Sequence, residues 1–341
     1  MQVRAVVTDK SPVRPMTFAL LRELSAEHFT SGAELAAKHG VSRSAISDAL
    51  KGASALGVPI FSLTRRGYRL AEPLGFLDID EIRRRMAGSQ QRLDLRLVDV
   101  VDSTNTALLQ QAVAGAVSGT CLAAELQTAG RGRRGRAWQS ALGASLTFSL
   151  LWRFEAGAAA LGGLSLVVGL AVANALRSLG IAAQLKWPND IVVNDRKLGG
   201  ILIETQGDML GPTIAVIGVG VNVNLPDAIK RSIDQPVMDI AEAAADAPVR
   251  SPALDRNVLL ATVLTQLVEL LDQFQKGGFA PLRDQWRALN AHQGRMVDVV
   301  AADARYAAKV IDVDAGGSLI VERDSVRVVL SAAEISVRLA R

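Results

Sequence analysis

The stretch GRGRRGRAWQS, residues 130–140, places four arginines and three glycines ahead of a tryptophan. Guanidinium groups bind carboxylates and phosphates through two hydrogen bonds, and glycine lets the backbone approach a ligand closely. Three functions compete for this stretch: a nucleic-acid patch, a dinucleotide-binding turn, and a loop that holds a small anion.

The first two functions do not fit the context. GRGRRG satisfies the pattern G-x-G-x-x-G, but a dinucleotide turn must open a helix, and RAWQSALGASLTFSLLW gives a short turn and then a strand. A nucleic-acid patch needs further basic residues nearby, whereas residues 76–341 carry 28 Lys/Arg and 28 Asp/Glu. An anion-holding loop is left, with the flat face of Trp138 available to a purine. The alternative is a charged surface loop whose Trp138 fills the core.

Histidine and cysteine contribute little to the central segment. His28 and His39 lie in the N-terminal module and His292 in the approach to the C-terminal segment, which excludes a His-based metal site or a Ser-His-Asp triad between them. Cys121 lies in a strand pattern and is interpreted as a small buried apolar residue. The central segment therefore works with Lys, Arg, Asp, Asn and backbone groups, which bind anions and stabilise charge.

Two further clusters supply such groups. KWPND (186–190) and DRKLGG (195–200) lie on a predicted hairpin, so that Lys186 and Lys197 could face one anionic ligand from adjacent strands. Asp190 could hold a metal ion or take a proton. DSTN (102–105) follows a strand and offers hydroxyls and an amide to an uncharged polar ligand. The alternative for each lysine is a solvated surface position.

The elements that must position these residues predict an α+β fold. Strand patterns occupy RLDLRLVDVV, GTCLAAELQTA, ASLTFSLLW, AAQLKWPNDIVVNDRKLGGILIET and TIAVIGVGVNVN, and helical patterns occupy TALLQQAVAGA and LGGLSLVVGLAVANALRSLG. Because several strands follow one another directly, the sheet is predicted to be largely antiparallel or mixed. Helices at 258–275 and 280–289 lead to short strands over 296–339, with turns at residue 303, 314–317 and 323–325, which predicts a small β-barrel or sandwich.

The N-terminal residues predict a winged helix-turn-helix. Residues 17–30 have helical periodicity, Ser31 and Glu34 form a capping box, and Gly40 ends the second helix. Ser42 caps a third helix that runs to about Leu56, and VPIFSLTRRGYRL predicts two strands around 64–67.

This module would bring several side chains to DNA. Ser42, Arg43, Ser44 and Ser47 would face a major groove, and Arg65, Arg66 and Arg69 on the wing would lie near phosphates. Asp48, on the same helix, would repel phosphate. The alternatives are a helical module with no DNA role and a winged helix that binds protein.

Charge and composition agree with this division. The net charge is +4, and residues 1–75 carry ten Lys/Arg against six Asp/Glu, so the basic excess is N-terminal. Such an asymmetry is typical of nucleic-acid binding, and the alternative is an ordinary soluble surface. One cysteine allows no internal disulfide. The first residues lack an export signal and no apolar run reaches a membrane span, so we expect a cytoplasmic protein with no membrane partner.

Five stretches together resemble the biotin–protein ligases. They are DSTN, QTAGRGRRGRAW, KWPND, KLGGILIE and GVGVNVN, in that order. With its N-terminal module the chain is similar to the bifunctional class, which also represses biotin-synthesis genes. The resemblance implies a multidomain α+β protein: a winged helix-turn-helix (1–75), a class II aminoacyl-tRNA synthetase-like catalytic domain (76–291) and an SH3-like barrel (292–341).

The resemblance also implies a reaction and its partners. ATP, biotin and Mg²⁺ would give biotinyl-5′-adenylate, and a lysine of a biotin carrier domain would then accept the biotin. Operator DNA would be a second partner, bound by a homodimer that forms when adenylate is present.

Site roles follow from the same resemblance. The catalytic residues would be Arg133, Lys186, Asp190 and Lys197, with Arg133 keeping the adenylate from leaking. Biotin would lie against Ser103, Thr104, Asn105, Gln127, Arg131, Gly132, Arg133, Lys197 and Gly200. ATP or adenylate would lie against Arg134, Arg136, Trp138, Asn189 and Asn222, and Mg²⁺ against Asp190. DNA would contact Ser42, Arg43, Ser44, Ser47, Arg65 and Arg66.

Three rivals stay open. A lipoate–protein ligase uses the same adenylation chemistry on a related fold. A transcription factor that senses biotin without transferring it would bind DNA and label no acceptor. An RNA-binding protein built around the arginine loop would show salt-sensitive RNA affinity.

Overall fold

The N-terminal residues form the predicted winged helix-turn-helix. A computed structural model describes residues 15–86, 88, 92–245, 251–300, 305–331 and 336–339. The module contains α1 (Pro15–Glu23), α2 (Gly32–His39), α3 (Arg43–Ala55) and the antiparallel hairpin of β1 (Ile60–Leu63) and β2 (Gly67–Leu70).

The caps of this module lie where the sequence predicts them. Ser31 Oγ accepts from Ala33 N at 3.2 Å, Gly40 has φ 64°, and Ser42 Oγ accepts from Ala45 N at 3.1 Å. The first helix is shorter than predicted, because the residues that follow it pair with the wing instead. Leu70 N donates to Ser25 O at 2.9 Å and Thr30 N to Tyr68 O at 2.8 Å.

The central residues form a seven-stranded mixed sheet. Its strands and helices in chain order are α4 (Ile79–Arg85), β3 (Asp94–Val101), α5 (Thr104–Val113), β4 (Thr120–Gln127), β5 (Ser145–Phe154), α6 (Leu164–Ser178), β6 (Gln184–Lys186), β7 (Asp190–Val193), β8 (Arg196–Gly207), β9 (Thr213–Asn222), α7 (Asp227–Ser232), α8 (Ile240–Ala243), α9 (Arg256–Gly277) and α10 (Arg283–Ala288). The strand order is β3-β4-β5-β9-β8-β7-β6. Only β3 and β4 pair in parallel among these seven, and α5 supplies the crossover that a parallel pair requires.

The two faces of the sheet are covered differently. The main core lies on the face that α6 and α9 cover, and α5 covers part of the other face through a small cluster around Leu108, Leu151 and Val216. Residues 158–178, which include α6, are the one helical stretch in the described ranges long and apolar enough to cross a membrane. Because α6 is buried among α9 and the sheet, it is a core helix.

The C-terminal residues form a five-stranded antiparallel sheet. The strands are β10 (Met296–Val300), β11 (Arg305–Val313), β12 (Leu319–Arg323), β13 (Val326–Leu330) and β14 (Ser336–Leu339), in the order β13-β12-β11-β10-β14. The turns at 314–317 and 323–325 are confirmed, with positive φ at Gly317, Asp324 and Ser325. The turn predicted at residue 303 lies outside the described residues.

Candidate active site

Glycines form the floor of the site. Gly218 and Gly220 on β9 lie on the same face as Val216 of the α5 cluster, since side chains alternate along a strand. A Cβ at Gly218 would lie 2.2 Å from Asn105 Oδ1, and a Cβ at Gly220 would lie 2.4 Å from the Trp138 indole. The bare backbone therefore lets Asn105 and Trp138 lie directly on the sheet.

Three residues of the DSTN motif, Ser103 to Asn105, lie with Gln127 in a buried polar region. Ser103 caps α5, and Thr104 and Asn105 form its first turn, with all three side chains buried. Gln127 Oε1 accepts from Thr104 N at 2.8 Å and from Thr104 Oγ1 at 3.1 Å. Ser149 Oγ lies 2.7 Å from Thr104 Oγ1 and 2.5 Å from Asn105 Oδ1, so it can donate to either oxygen. The arrangement suits an uncharged polar ligand head, and sequence reasoning missed Ser149.

Glu204 joins this network to the arginine loop. Asn105 Nδ2 donates to Glu204 Oε2 at 2.9 Å and to Leu202 O at 3.2 Å, and Arg131 forms an ion pair with Glu204. A cavity of about 450 Å³ opens here, lined by Leu202, Glu204 and residues 131–136. Sequence analysis did not assign Glu204 a role, although it is the last residue of the KLGGILIE motif and could have been found there.

The arginine loop is a compact hairpin-like turn. Gly132 N donates to Arg136 O at 2.7 Å and Trp138 N to Gly130 O at 2.8 Å. Arg134 has φ 59°, a left-handed conformation that costs a non-glycine residue on the order of 1–3 kcal/mol. Arg131, Arg134 and Arg136 are exposed, and Arg133 is half-buried.

Arg133 reaches across to the KWPND segment. Its Nη1 donates to Asn189 Oδ1 at 3.0 Å. Burial lowers the pKa of this guanidinium; the nearby Asp190 carboxylate raises the pKa, and Arg134 and Arg136 lower it further. An anion bound within the loop would relieve the repulsion among these cations.

Asp190 lies between two lysines. Lys186 on β6 is directly opposite Asp190 on β7, and Lys197 Nζ lies 2.6 Å from Asp190 Oδ1. A two-residue turn with positive φ at Asn194 and Asp195 connects β7 to β8, as type I′ hairpins require. The expectation that the lysines lie on adjacent strands is wrong, because β7 lies between β6 and β8 and its Asp190 separates them.

A resident metal does not fit Asp190. Its carboxylate is paired with Lys197, and no group of three or more His, Cys, Asp or Glu in the described ranges could hold an ion.

Trp138 and Asn222, predicted to lie near the adenylate, both contact the backbone of the sheet or of the segment beside it. The half-buried indole of Trp138 lies over Gly220. A Cβ added at Gly200 would lie 3.4 Å from the same indole. Asn222 is buried, and its Nδ2 donates to Met238 O at 3.0 Å and Lys197 O at 3.4 Å. Asn222 thus holds the backbone that carries Lys197.

Cys121 and His292 are both buried. Burial raises the pKa of Cys121, in accord with its interpretation as an apolar core residue.

Burial lowers the pKa of His292 to about 4, helped by Lys186 and Arg295 and opposed by Asp195 and Asp190. This proximity was not predictable from the sequence, because it depends on bonds of Leu289 and Ala291 to Leu185 in β6, more than 100 residues earlier in the chain.

The residues predicted to face DNA lie at two places on the N-terminal module. Ser42, Arg43 and Ser44 are exposed at the start of α3 and Ser47 is half-buried, while Arg65 and Arg66 are exposed in the wing turn. Asp48 pairs with Lys51 at 3.2 Å. Arg69, which we expected near phosphates, is half-buried and donates to Ala26 O at 2.8 Å, so it is held by the fold of the wing.

Comparison with known proteins agrees with this architecture. Residues 97–222 match the model of the biotin/lipoate A/B protein ligase family, and residues 17–69 match that of an HTH domain. Bifunctional ligase/repressor BirA of Salmonella typhimurium is 36% identical over 332 residues, covering 97% of this chain and 99% of that protein. Biotin--[acetyl-CoA-carboxylase] ligase of Paracoccus denitrificans is 35% identical over 242 residues, covering 69% and 96% respectively.

A solved structure shows the same fold over the catalytic part. It is the biotin protein ligase of Aquifex aeolicus in complex with biotin and ATP, with a TM-score of 0.61, 28% identity, and coverage of 72% of this chain and 99% of that one. The fold and site thus define a biotin/lipoate ligase-type domain joined to a helix-turn-helix module. The chain belongs to the family of bifunctional ligase/repressor BirA proteins.

Proposed function

We propose that this chain acts as its family does, as an ATP-dependent biotin–protein ligase that also represses transcription. One observation carries the ligase function: the arginine loop and the Lys186–Asp190–Lys197 cluster converge, through Arg133 and Asn189, beside a buried uncharged polar network. The network suits the ureido head of biotin and the cations suit an acyl-phosphate.

The first step brings two anions together. The biotin carboxylate attacks the α-phosphorus of ATP, the bond to the bridging oxygen breaks, and pyrophosphate leaves. Lys197 and Lys186 neutralise the charge that develops, while Arg134 and Arg136 face the departing phosphates. Ser103, Thr104, Asn105 and Gln127 orient the biotin head, and Arg133 covers the mixed anhydride and excludes water.

The second step forms an amide. The amine of a carrier-domain lysine attacks the biotinyl carbonyl, AMP leaves with the bonding electrons, and the amine loses its proton. Asp190 lies beside Lys197, where it can orient the incoming ammonium or accept that proton.

The nucleotide side of the site includes residues 138, 189 and 222. We propose that Trp138 borders the adenine, that Asn189 holds Arg133 over the phosphate, and that Asn222 acts by fixing the Lys197 backbone. Arg131 and Gly132 border biotin through their backbone, and Gly200 leaves room for its side chain. Mg²⁺ would neutralise the phosphates of ATP, while the carboxylate of Asp190 is paired with Lys197.

The repressor role rests on the exposed residues of α3 and the wing. We propose that Ser42, Arg43, Ser44 and Ser47 enter a major groove of operator DNA and that Arg65 and Arg66 contact its phosphates. A homodimer formed when adenylate is bound would present two such modules to a palindrome. The proposed domains are 1–75, 76–291 and an SH3-like barrel at 292–341, in a cytoplasmic protein.

Mass spectrometry tests the ligase function. The protein is incubated with Mg-ATP and either biotin or lipoate, with and without a purified carrier domain. We expect biotinyl-adenylate and a single biotin mass on one carrier lysine. Adenylate without transfer would indicate a non-transferring sensor, and a lipoate product alone would indicate a lipoate ligase.

A further inference from the structure

The hairpin that carries Lys186, Asn189 and Asp190 is held from outside by residues 289–295, which connect α10 to the C-terminal sheet. Leu185 N donates to Leu289 O at 2.8 Å, and Ala291 N donates to Leu185 O at 2.9 Å. At the far end of β7, Arg295 Nη1 donates to Asp195 Oδ1 at 2.8 Å. The hairpin of β6 and β7 is therefore bonded to residues 289–295, which lead into the C-terminal sheet.

Trp187 makes the innermost of these contacts. Its indole is 3% exposed, and its Nε1 donates to Gly317 O at 3.0 Å, in the turn between β11 and β12. That turn lies on the residues before α6 with no space for side chains. A Cβ at Gly317 would lie 2.5 Å from Gly163 Cα, and a Cβ at Gly162 would lie 2.8 Å from Gly316 O.

The contact continues from Trp187 into the site. Ser165 Oγ donates to the carbonyl of Pro188 at 3.0 Å, so the Trp187–Pro188 segment is fixed between the turn and α6. The next residue, Asn189, donates through Nδ2 to Ile201 O at 2.8 Å and accepts from Arg133 Nη1 at 3.0 Å. Arg133 is thus connected to the C-terminal sheet through Asn189 and Trp187.

We propose that Trp187 is a positioning residue and that the turn at 314–317 helps to retain the adenylate. By fixing Asn189, the turn holds Arg133 over the acyl-phosphate, although the C-terminal sheet lends no side chain to this chain of contacts. The inference rests on the proposed ligase function. Because the bonds of Thr104, Asn105 and Gln127 do not pass through Trp187, retention of adenylate should change while the affinity for free biotin stays constant.

A matched pair of tryptophan variants tests the proposal. Trp187→Phe removes the indole donor and keeps an aromatic ring. Trp152→Phe removes a similar buried donor, which bonds Gln275 Oε1 at 3.4 Å outside this chain of contacts. Each protein is loaded with biotin and Mg-ATP, freed of substrates by rapid gel filtration, and assayed for the rate at which adenylate leaves.

We expect Trp187→Phe to release adenylate about tenfold faster than Trp152→Phe, a change typical of a sub-ångström misplacement, with less than about a twofold change in the Kd for free biotin. Equal release from the two variants overturns the inference. In the double variant with Asn189→Ala, release should be no faster than in Asn189→Ala alone, since the two residues act in series. Additive effects would show that Trp187 acts by another route.

Adjacent glycines give a second test. Gly317→Ala introduces a Cβ into backbone contact at φ 85°, whereas a Cβ at the exposed Gly316 meets only Asp314 Oδ1 at 3.4 Å. Gly317→Ala should release adenylate as fast as Trp187→Phe does, and Gly316→Ala should retain it as the native protein does. Retention of adenylate by both glycine variants overturns the proposed role of the turn. If the native protein makes no adenylate, the proposed function fails; if the native protein and Trp187→Phe retain it equally, only this inference fails.

Discussion

Lys197 Nζ lies 2.6 Å from Asp190 Oδ1, and both side chains are more than four-fifths buried. The pair lies on neighbouring strands at the point where the register of β7 and β8 shifts between Ile191 and Val192. A cation held this way is positioned before any anionic substrate arrives, which is the condition for electrostatic stabilisation of a transition state.

Removal of the Lys197 charge should slow adenylation. In Lys197→Met we expect the rate of adenylate formation to fall by about 10²–10³-fold, as when one preorganised donor is lost from an active site. Single-turnover formation of biotinyl-adenylate measures this rate. Lys309→Met, an exposed lysine on β11, serves as the control and should be unchanged. Equal rates of adenylate formation in the two variants would show that Lys197 does not take part in adenylation.

Loss of the Arg133 side chain should separate synthesis from retention. Arg133→Gly should still make adenylate, because Lys186 and Lys197 are intact, but should release it and biotinylate bystander lysines. Labelling of added serum albumin, detected with streptavidin, measures the release. Arg177→Gly on α6 is a control, since Arg177 Nη1 bonds Ala183 O, away from the loop. Retention of adenylate by Arg133→Gly would contradict its covering role.

His292 should make stability depend on pH. Its pKa is lowered from 6.5 to about 4 in the folded protein, so the unfolded chain binds more protons between these values. The contribution of His292 to the free energy of unfolding is therefore complete above about pH 6.5 and is lost as pH falls through about 4. The loss from this group is at most about 3 kcal/mol. Urea unfolding of the native protein and His292→Gln from pH 7 to 4 measures the difference. Parallel pH profiles would show that His292 does not contribute.

DNA affinity should respond differently to substitutions on α3 and the wing. Arg43→Ala should weaken operator binding by about 1–3 kcal/mol, and Arg65→Ala should lower the salt slope of log K by about 1. Asp48→Asn, which removes a negative charge from α3, should raise the affinity. Fluorescence anisotropy over a range of salt concentrations measures all three. If Arg65→Ala leaves the salt slope of log K unchanged and Arg43→Ala leaves operator affinity unchanged, the DNA-binding surface lies elsewhere.

Local patterns predicted most of the fold. Helix α6 and strands β5 and β9 are long and strongly patterned, and the caps at Ser31 and Ser42 are chemical signals readable from a few residues. Helices α4, α7 and α8 were missed because they span two turns or fewer and show no period. The aminoacyl-tRNA synthetase likeness and the SH3-like barrel stay predictions.

The site was predictable where its residues sit in motifs. Lys186, Asp190 and Lys197 lie within twelve residues of one another, so the predicted hairpin placed them close together in space. Ser149 and the Trp187–Gly317 contact were not predictable, because they depend on the pairing of distant strands and on a turn 130 residues away. Glu204 was present in a quoted motif, but its role as acceptor for Arg131 and Asn105 depends on the order of the sheet.

Exchange of labelled pyrophosphate into ATP isolates the adenylation step from transfer and from DNA binding. The protein, Mg-ATP and labelled pyrophosphate are incubated with biotin, with lipoate, or with neither. We predict incorporation of label into ATP with biotin alone, reduced about 10²–10³-fold in Lys197→Met. Absence of biotin-dependent exchange in the native protein, or exchange with lipoate only, would contradict the assignment of this site to biotin activation.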